Sequence, residues 1–479
     1  MSGHFHLLVP GATAAPEPLE VTAPYDNAMI ATLDTADDAA ADRAMETAYA
    51  LFRDRDRWLP AAERIAILER TAELMGDRAE MLALEAAREG GKPLVDSRVE
   101  VARAIDGVKL CVHYLRTGGG EEIPMRMNAA SMNRAAFTYH EPVGVVLAFS
   151  AFNHPLNLIV HQVGPAVATG CPVVVKPAEA TPISCFRFVE LLREAGLPAE
   201  WCQALTVSEL DVAGRLVEDP RVGFFTFIGS ARVGWMLRAR LAPGARCALE
   251  HGGAAPVIVE TDADLDDALP LMAKGGLYHA GQVCVSVQRV FARREIARAV
   301  AEGLADLAGK MVVGDPIRAE TEVGPLIRPA EVERVEAWVD EAREAGAEPL
   351  TGGDRISETC YRPTVLYDPP DDVRVSRAEI FGPVICVYPF DELGQALQRA
   401  NALPFSFQAS VFTRDLDTAI RSARRLDAAA VMINDHTAFR VDWMPFAGRK
   451  ESGLGIGGIP YTMRDMEVEK MVVIRSAEL

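Results

Sequence analysis

Positive charge is scarce: 49 lysines and arginines stand against 68 aspartates and glutamates in 479 residues, a formal net charge of −19. That deficit argues against a groove that tracks a phosphate backbone, so nucleic acid is not an expected partner. No uncharged apolar run is long enough to span a bilayer, and Met1-Ser-Gly-His-Phe-His-Leu-Leu-Val-Pro10 lacks a basic segment followed by an apolar core. No membrane association is expected, and the cytoplasm is the expected compartment. The eight cysteines stand singly with no CxxC pair, which reads as reduced thiols. No HExxH occurs and the nine histidines show no metal-ligand spacing with acids or thiols, so no metal is expected. Internal repeats and low-complexity blocks are also missing.

What is present is a long chain with room for two to four domains and an interior able to exclude water. Helical spacing predicts helices over Asp37–Ala50, Ala61–Arg88 and Val95–Leu115. After Gly118-Gly-Gly120, the alternation of Ile123–Val146 predicts a projecting strand pair that offers an assembly surface, and the tail Asp465–Ile474 has a strand pattern able to pair with it. Short continuous apolar runs at Val143–Phe149 and Pro172–Val175, separated by a helical Leu156–Ala168, open a parallel-sheet pattern. It continues through helix Ser184–Glu194, strand Gln203–Thr206, helix Val212–Glu218, strand Phe224–Ile228, helix Ala231–Leu241 and strand Ala248–Glu250. A second α/β domain follows, its first helix opened by Asp262-Ala-Asp-Leu-Asp and its strand-like stretches including Cys360–Val365 and Val431–Asn434.

Several short motifs carry chemistry. In Tyr278-His-Ala-Gly-Gln-Val-Cys284-Val-Ser, Gly281 permits a backbone that a Cβ would obstruct, and Cys284 is either a nucleophile or a small buried hydrophobe. Asn153, in Phe152-Asn-His-Pro155, follows an apolar strand at the end where open α/β sheets place ligands; its amide can donate to an oxyanion or satisfy a turn. Lys176 and Glu179 can hold the hydroxyls of a ribose, with the carboxylate repelling a 2′-phosphate and so favouring NAD over NADP, or form a solvated charge pair. Gly229-Ser230-Ala-Arg-Val-Gly234 joins a strand to a helix and suits a pyrophosphate at the positive end of the helix dipole. The literal GxGxxG at Gly453–Gly458 follows Arg449-Lys-Glu-Ser452 rather than a strand and is rejected as a dinucleotide fingerprint. Glu250, in Glu250-His-Gly-Gly253, offers a general base for water or a strand-end salt bridge. Glu379-Ile-Phe381 offers an acid for a sugar and a ring to flank a nicotinamide.

Taken in order, Asn153, Lys176-Pro-Ala-Glu179, Gly229-Ser-xxx-Gly234, Glu250-x-Gly-Gly253, Cys284, Glu379-x-Phe381, Asn434 and Pro445-Phe-Ala-Gly-Arg-Lys-Glu-Ser-Gly453 resemble an NAD(P)-dependent aldehyde dehydrogenase over roughly residues 20–475. The resemblance implies an α/β subunit of three parts: a Rossmann-like NAD-binding domain (1–120 and 144–253), a catalytic domain (254–445) and a β oligomerisation arm (121–143 and 460–479). It implies Cys284 as nucleophile, Asn153 as oxyanion donor, Glu250 as base, and Lys176, Glu179, Gly229, Ser230, Gly234, Glu379 and Phe381 around the coenzyme, in a homodimer or homotetramer. His251 stands where the family usually has Leu, and Phe152 where it often has Trp.

The segments Phe152-Asn-His-Pro-Leu-Asn-Leu, Gly281-Gln-Val-Cys-Val-Ser and Phe439-Arg-Val-Asp-Trp-Met-Pro-Phe are most similar to the branch of lactaldehyde and phosphonoacetaldehyde dehydrogenases, which implies a small polar or anionic aldehyde. Arg103, His154 and Arg440 are candidates to bind its anionic group, each with a plain salt bridge as the alternative, while Val283 contributes no charge beside Cys284. Two other readings stay open: an acylating enzyme that passes the thioester to coenzyme A, for which Glu250 would be unneeded, and a non-catalytic scaffold of the same fold.

Overall fold

The computed structural model describes residues 3–479. A six-stranded sheet runs in the order Gly453–Leu454, Arg246–Glu250, Val222–Ile228, Val145–Phe149, Val173–Lys176, Cys202–Ala204, parallel except for the first strand. Its centre is the pair of runs Val-Val-Leu-Ala-Phe and Val-Val-Val-Lys, buried at every position. Helices cover both faces, so these strands read as continuous apolar runs rather than alternating ones. The helix Asn157–Thr169 between them is buried on all sides and packs against the long helix Leu94–Thr117.

A seven-stranded sheet follows, ordered Glu348–Thr351, Thr364–Tyr367, Val384–Phe390, Val287–Arg293, Ala255–Val259, Gln408–Phe412, Ala430–Ile433, antiparallel only at its first strand. The chain crosses from Glu250, at the carboxyl end of the first sheet, to Ala255, at the amino end of the second, in four residues. Carboxyl ends of one parallel sheet are thereby set against amino ends of the other. A third sheet places Glu467–Arg475 antiparallel to Arg134–Pro142 over nine paired positions, with Glu122–Ile123 on the other edge.

Some expected elements differ. The helix expected over Ala61–Arg88 is two, Ala61–Asp77 and Ala79–Gly90, because Arg78 leaves helical geometry. Arg78 instead makes a fork-to-fork pair with Glu194, and apolar spacing continues across the break, so periodicity alone conceals it. The strand pair expected within Ile123–Val146 has a first strand of only two residues, whereas the expected pairing with the tail does form, along Arg134–Pro142. Gly453–Leu454 forms the antiparallel edge of the first sheet, a setting unlike a dinucleotide-binding turn. No helix of the described residues is long and apolar enough to cross a membrane.

Two buried glutamates tie helix starts to the body. Glu89 accepts the backbone N–H groups of Ile183 and Ser184 at 2.7 and 2.9 Å, together with the Ser184 hydroxyl, and closes the start of helix Ile183–Glu194. Burial pushes its carboxyl up to about 8, against those hydrogen bonds. Glu100 accepts the N–H groups of Leu156 and Asn157, both at 2.9 Å, at the start of helix Asn157–Thr169. Acids at these positions satisfy orphan amides and meet the positive dipole end. Glu89→Ala strands those buried donors and is expected to cost about 2 kcal/mol or more, read as a lower thermal midpoint. An unchanged midpoint would show that the cap contributes nothing.

Candidate active site

In the first sheet the chain runs outward in opposite directions from Val145–Phe149 and Val222–Ile228, which makes their carboxyl ends a topological switch point. The loops leaving those two strands carry Asn153 and Gly229-Ser230. From the second sheet the facing amino ends bring Cys284, before strand Val287–Arg293, and Glu379-Ile-Phe381, before strand Val384–Phe390.

Cys284 is held by a turn with little freedom. Tyr278–Gly281 form a tight helical turn in which His279 and Ala280 take left-handed backbone angles, and Gly281 follows at φ 68°. A Cβ on Gly281 would lie 2.1 Å from the Gly382 carbonyl oxygen, so glycine is required both for its angle and for that approach. Gln282 is anchored on both ends of its amide: Nε2 donates to the carbonyls of His279 and Pro325 at 3.2 Å, and Oε1 accepts from Ile327 N–H at 3.0 Å. Val283 and Val285 are buried beside Phe407 and Phe446. Cys284 projects half-buried from this frame. Burial pushes its thiol up to about 12; the Arg440 guanidinium opposes that shift, while Glu250 and Glu379 add to it.

Asn153 reaches across from the first sheet and donates through Nδ2 to the Gln282 carbonyl at 2.9 Å. Its amide nitrogen has two hydrogens, so one can anchor the side chain while the other serves a ligand. Glu250 rests on bare backbone at Gly457, where a Cβ would meet its Oε1 at 2.1 Å. Burial raises its carboxyl and Arg440 opposes.

The three candidate anion binders have different surroundings. Arg103 donates from Nε and Nη2 to the two oxygens of Asp442, at 3.0 and 2.6 Å, so its fork already holds a carboxylate. Asp442 also accepts from His161 Nε2 at 2.7 Å. Burial would lift the Asp442 carboxyl, but His161 and Arg103 hold it well below the usual range. Because His161 donates from Nε2, its Nδ1 accepts, and Arg440 Nη2 lies 3.3 Å from it. Arg440 stacks on Phe446, 3.6 Å from the ring centroid, and its buried Nε has no partner. His154 Nδ1 lies 2.8 Å from Lys92 Nζ. Asp442, His161, Lys92 and Glu100 carry no motif that singles them out; a charge or imidazole set among apolar residues is the only signal, and although Lys92 and Glu100 are eight residues apart, the groups they meet lie further along the chain.

The candidate coenzyme residues divide between the two sheets. Lys176, at the end of its strand, pairs with Glu179 and lies 5.5 Å from the Phe149 ring centroid. Burial raises the Glu179 carboxyl, yet Lys176 keeps it below its ordinary value. Ser230 opens helix Ala231–Arg238 and no side chain caps it, which leaves first-turn amides for an anion and fits a pyrophosphate. Gly234 lies a turn inside that helix, where a Cβ would meet His251 Nε2 at 1.9 Å. The His251 ring is wedged between Trp235 and Phe227 and bonded through Nδ1 to the Glu451 carbonyl at 2.8 Å, so this departure from the usual Leu is accommodated by packing. Glu379 accepts from Gly253 N–H at 3.1 Å, and burial lifts it to about 7. Phe381 takes a left-handed backbone at φ 48° and meets Phe152 edge to face, with ring centroids 5.9 Å apart.

The fold also gathers one group the spacing concealed. His4 Nε2 and His6 Nδ1 lie 2.9 and 3.2 Å from the two oxygens of Asp34, on a separate three-stranded sheet. The histidines and the acid are 28 to 30 residues apart, so their meeting depends on strand pairing.

The aldehyde dehydrogenase family matches residues 12–472. A 3-sulfolactaldehyde dehydrogenase of Priestia aryabhattai is 40% identical over 412 residues, 86% of each chain. An aldehyde dehydrogenase of Physcomitrella patens, solved with the reaction product succinate, superposes with a TM-score of 0.94 at 33% identity, covering 100% of this chain and 99% of that one. A glyceraldehyde-3-phosphate dehydrogenase of Methanocaldococcus jannaschii, solved with NADP, does so with a TM-score of 0.91 at 33% identity, covering 96% and 100%.

Removing Arg440 takes away the charge that offsets burial at Cys284. In Arg440→Met the thiol pKa is expected to rise further, which lowers the thiolate fraction at pH 8 and slows iodoacetamide capture of Cys284 on the order of tenfold. Peptide mass analysis separates Cys284 from the other seven cysteines. Faster or unchanged capture would mean that Arg440 does not act on the thiol.

Proposed function

The chain belongs to the aldehyde dehydrogenase family and is an enzyme of aldehyde oxidation; from that premise we propose that it converts a small aldehyde bearing an anionic group to the carboxylic acid through a thioester on Cys284, with NAD preferred over NADP. The observation that carries the anionic reading is Arg440: its charge bears on both Cys284 and Glu250, while its buried Nε has no partner. Arg103 is matched by Asp442; Arg440 is offered a neutral imidazole and an aromatic face. A guanidinium left in that state favours a carboxylate, sulfonate or phosphonate arriving beside the thiol. The 3-sulfolactaldehyde and succinate named for two similar proteins carry such groups.

Catalysis begins with a protonated thiol, since burial holds Cys284 up. Its proton has to leave as sulfur attacks the carbonyl, and Glu250, also lifted by burial, is the carboxylate available to take it. The second hydrogen of the Asn153 amide, with the Cys284 backbone N–H, receives the oxyanion of the thiohemiacetal. The nicotinamide coenzyme supplies the hydride acceptor when bound. Once it has released that proton to solvent, Glu250 is again a carboxylate and removes a proton from the water that hydrolyses the thioester, a role that an acylating enzyme using coenzyme A would not need. For the coenzyme, Lys176 and Glu179 suit two ribose hydroxyls, and the carboxylate repels a 2′-phosphate; the uncapped helix start at Ser230 suits the pyrophosphate, with Glu379 and Phe381 toward the nicotinamide end. The sheet of Glu122–Ile123, Arg134–Pro142 and Glu467–Arg475 exposes Phe137, Met471, Val473 and Ile474, which supports its use as an arm joining a homodimer or homotetramer.

The test is NADH formation from succinic semialdehyde, lactaldehyde, phosphonoacetaldehyde, 3-sulfolactaldehyde and propanal, with and without coenzyme A. Activity is expected without coenzyme A, best on an anionic aldehyde, and higher with NAD than NADP. Cys284→Ala should abolish it and Asn153→Ala lower turnover by a factor on the order of hundreds. Arg440→Met should raise KM for the anionic aldehyde roughly tenfold or more without a comparable rise in KM for propanal, while the weaker thiol lowers turnover of both. Turnover surviving in Cys284→Ala would sink the mechanism, and a preference for propanal would sink the anionic substrate.

A further inference from the structure

Below the candidate site lies a buried charge pair that the reaction does not use. Lys92 and Glu100 are 1% and 2% exposed and form an ion pair. Glu100 turns its other oxygen to the N–H groups of Leu156 and Asn157, fixing the chain just after Asn153-His154. Lys92 comes from the turn between helices Ala79–Gly90 and Leu94–Thr117, and its Nζ lies 2.8 Å from His154 Nδ1. Burial lowers the Lys92 ammonium, and Glu100 beside it opposes that loss.

The chemistry of this contact has one consistent solution. An ammonium paired with a carboxylate has hydrogens to give and no lone pair, so His154 Nδ1 must be the acceptor. A neutral imidazole accepting at Nδ1 carries its hydrogen at Nε2. Burial keeps His154 neutral, and the groups facing it (Lys92 from that turn, Arg103 from helix Leu94–Thr117, Arg440 from the segment before Phe446, and His279 from the cysteine turn) all disfavour the imidazolium. We propose that Lys92 is a positioning residue: it fixes the His154 tautomer, so that Nε2–H is a ready donor for the anionic end of the substrate beside Arg440. This rests on the anionic-aldehyde reading above. Without Lys92, His154 is free to carry its hydrogen at Nδ1 and turn a lone pair to the anion, which repels it.

The full-length enzyme tests this with Lys92→Met and with Lys92→Met/Glu100→Gln, the latter leaving no buried unpaired carboxylate while keeping an acceptor for Leu156 and Asn157. In each, KM for succinic semialdehyde is expected to rise roughly tenfold, with kcat and the KM for propanal held. In a His154→Ala background the Lys92 change should add nothing further. The imidazole 15N spectrum of the wild-type protein, with His154 assigned by loss of its signal in His154→Asn, should show Nε2 protonated and Nδ1 bare, a readout that needs no Lys92 variant to fold. Hydrogen at Nδ1, an equal loss on both aldehydes, or a full effect in the His154→Ala background overturns the positioning role. A wild type that prefers propanal overturns the substrate reading first, and the role of Lys92 with it. A wild type that prefers the anion and variants that keep that preference overturn Lys92 alone.

Discussion

One hydrogen bond spans the two halves of the site: Asn153 Nδ2, on a loop leaving the first sheet, donates to the Gln282 carbonyl on the turn that carries Cys284, at 2.9 Å. It is possible because the carboxyl ends of one parallel sheet face the amino ends of another, joined by the short crossing from Glu250 to Ala255. Every other placement follows from that opposition. Glu250 ends a strand of the first sheet, Glu379 and Phe381 precede a strand of the second, and Phe381 reaches back to touch Phe152. Since strands and buried helices hold these loops, a small shift of either sheet would move Asn153 away from the turn of Cys284, and in the proposed reaction orientation at that scale strongly affects rate.

The interior beneath the site holds several ionisable groups. Glu89, Glu100, Lys92 and Asp442 are each 2% exposed or less. Buried ions are weak as net stabilisers, because desolvation offsets much of their attraction. Their value here is directional. Each acid takes up backbone amides or fixes an imidazole or guanidinium, so the groups above inherit set tautomers and orientations: Asp442 makes His161 an acceptor toward Arg440, and Lys92 does the corresponding thing to His154. Arg440 is the exception in this well-paired set, and the proposal of an anionic substrate rests on that contrast.

Much of the architecture was legible along the chain. The apolar runs at Val143–Phe149, Pro172–Val175 and Phe224–Ile228 match strands within a few residues, since a strand buried on both faces has to be apolar throughout. Boundaries failed where local pattern and tertiary contact diverge. The break at Arg78 leaves helical periodicity intact, and the strand pair expected within Ile123–Val146 has a first strand of only two residues, although the tail strand expected to pair with this region does so from more than 300 residues downstream. For the site, the ordered motifs drew attention to Cys284, Asn153 and Glu250; the fold bonds Asn153 to the turn of Cys284 and sets Glu250 near enough to bear on its thiol. They gave no notice of Lys92, Glu100 or Asp442, because an isolated Lys, Glu or Asp on a helix or loop looks the same whether solvated or buried.

By itself the sequence determined the family, the alternation of helix and strand, and which residue types could meet at a cleft, because those are encoded in local periodicity and in motif order. Tertiary structure decided which charges are already paired and which remain free. Arg103 and Arg440 are equivalent cations on paper, yet one is clasped by Asp442 and the other stands on an aromatic ring with a bare Nε. Likewise only the fold sets a lysine against Nδ1 of His154. Pairing and tautomer are properties of distance in space, and residues 62 positions apart, as Lys92 and His154 are, or 339, as Arg103 and Asp442 are, acquire them only when the chain folds.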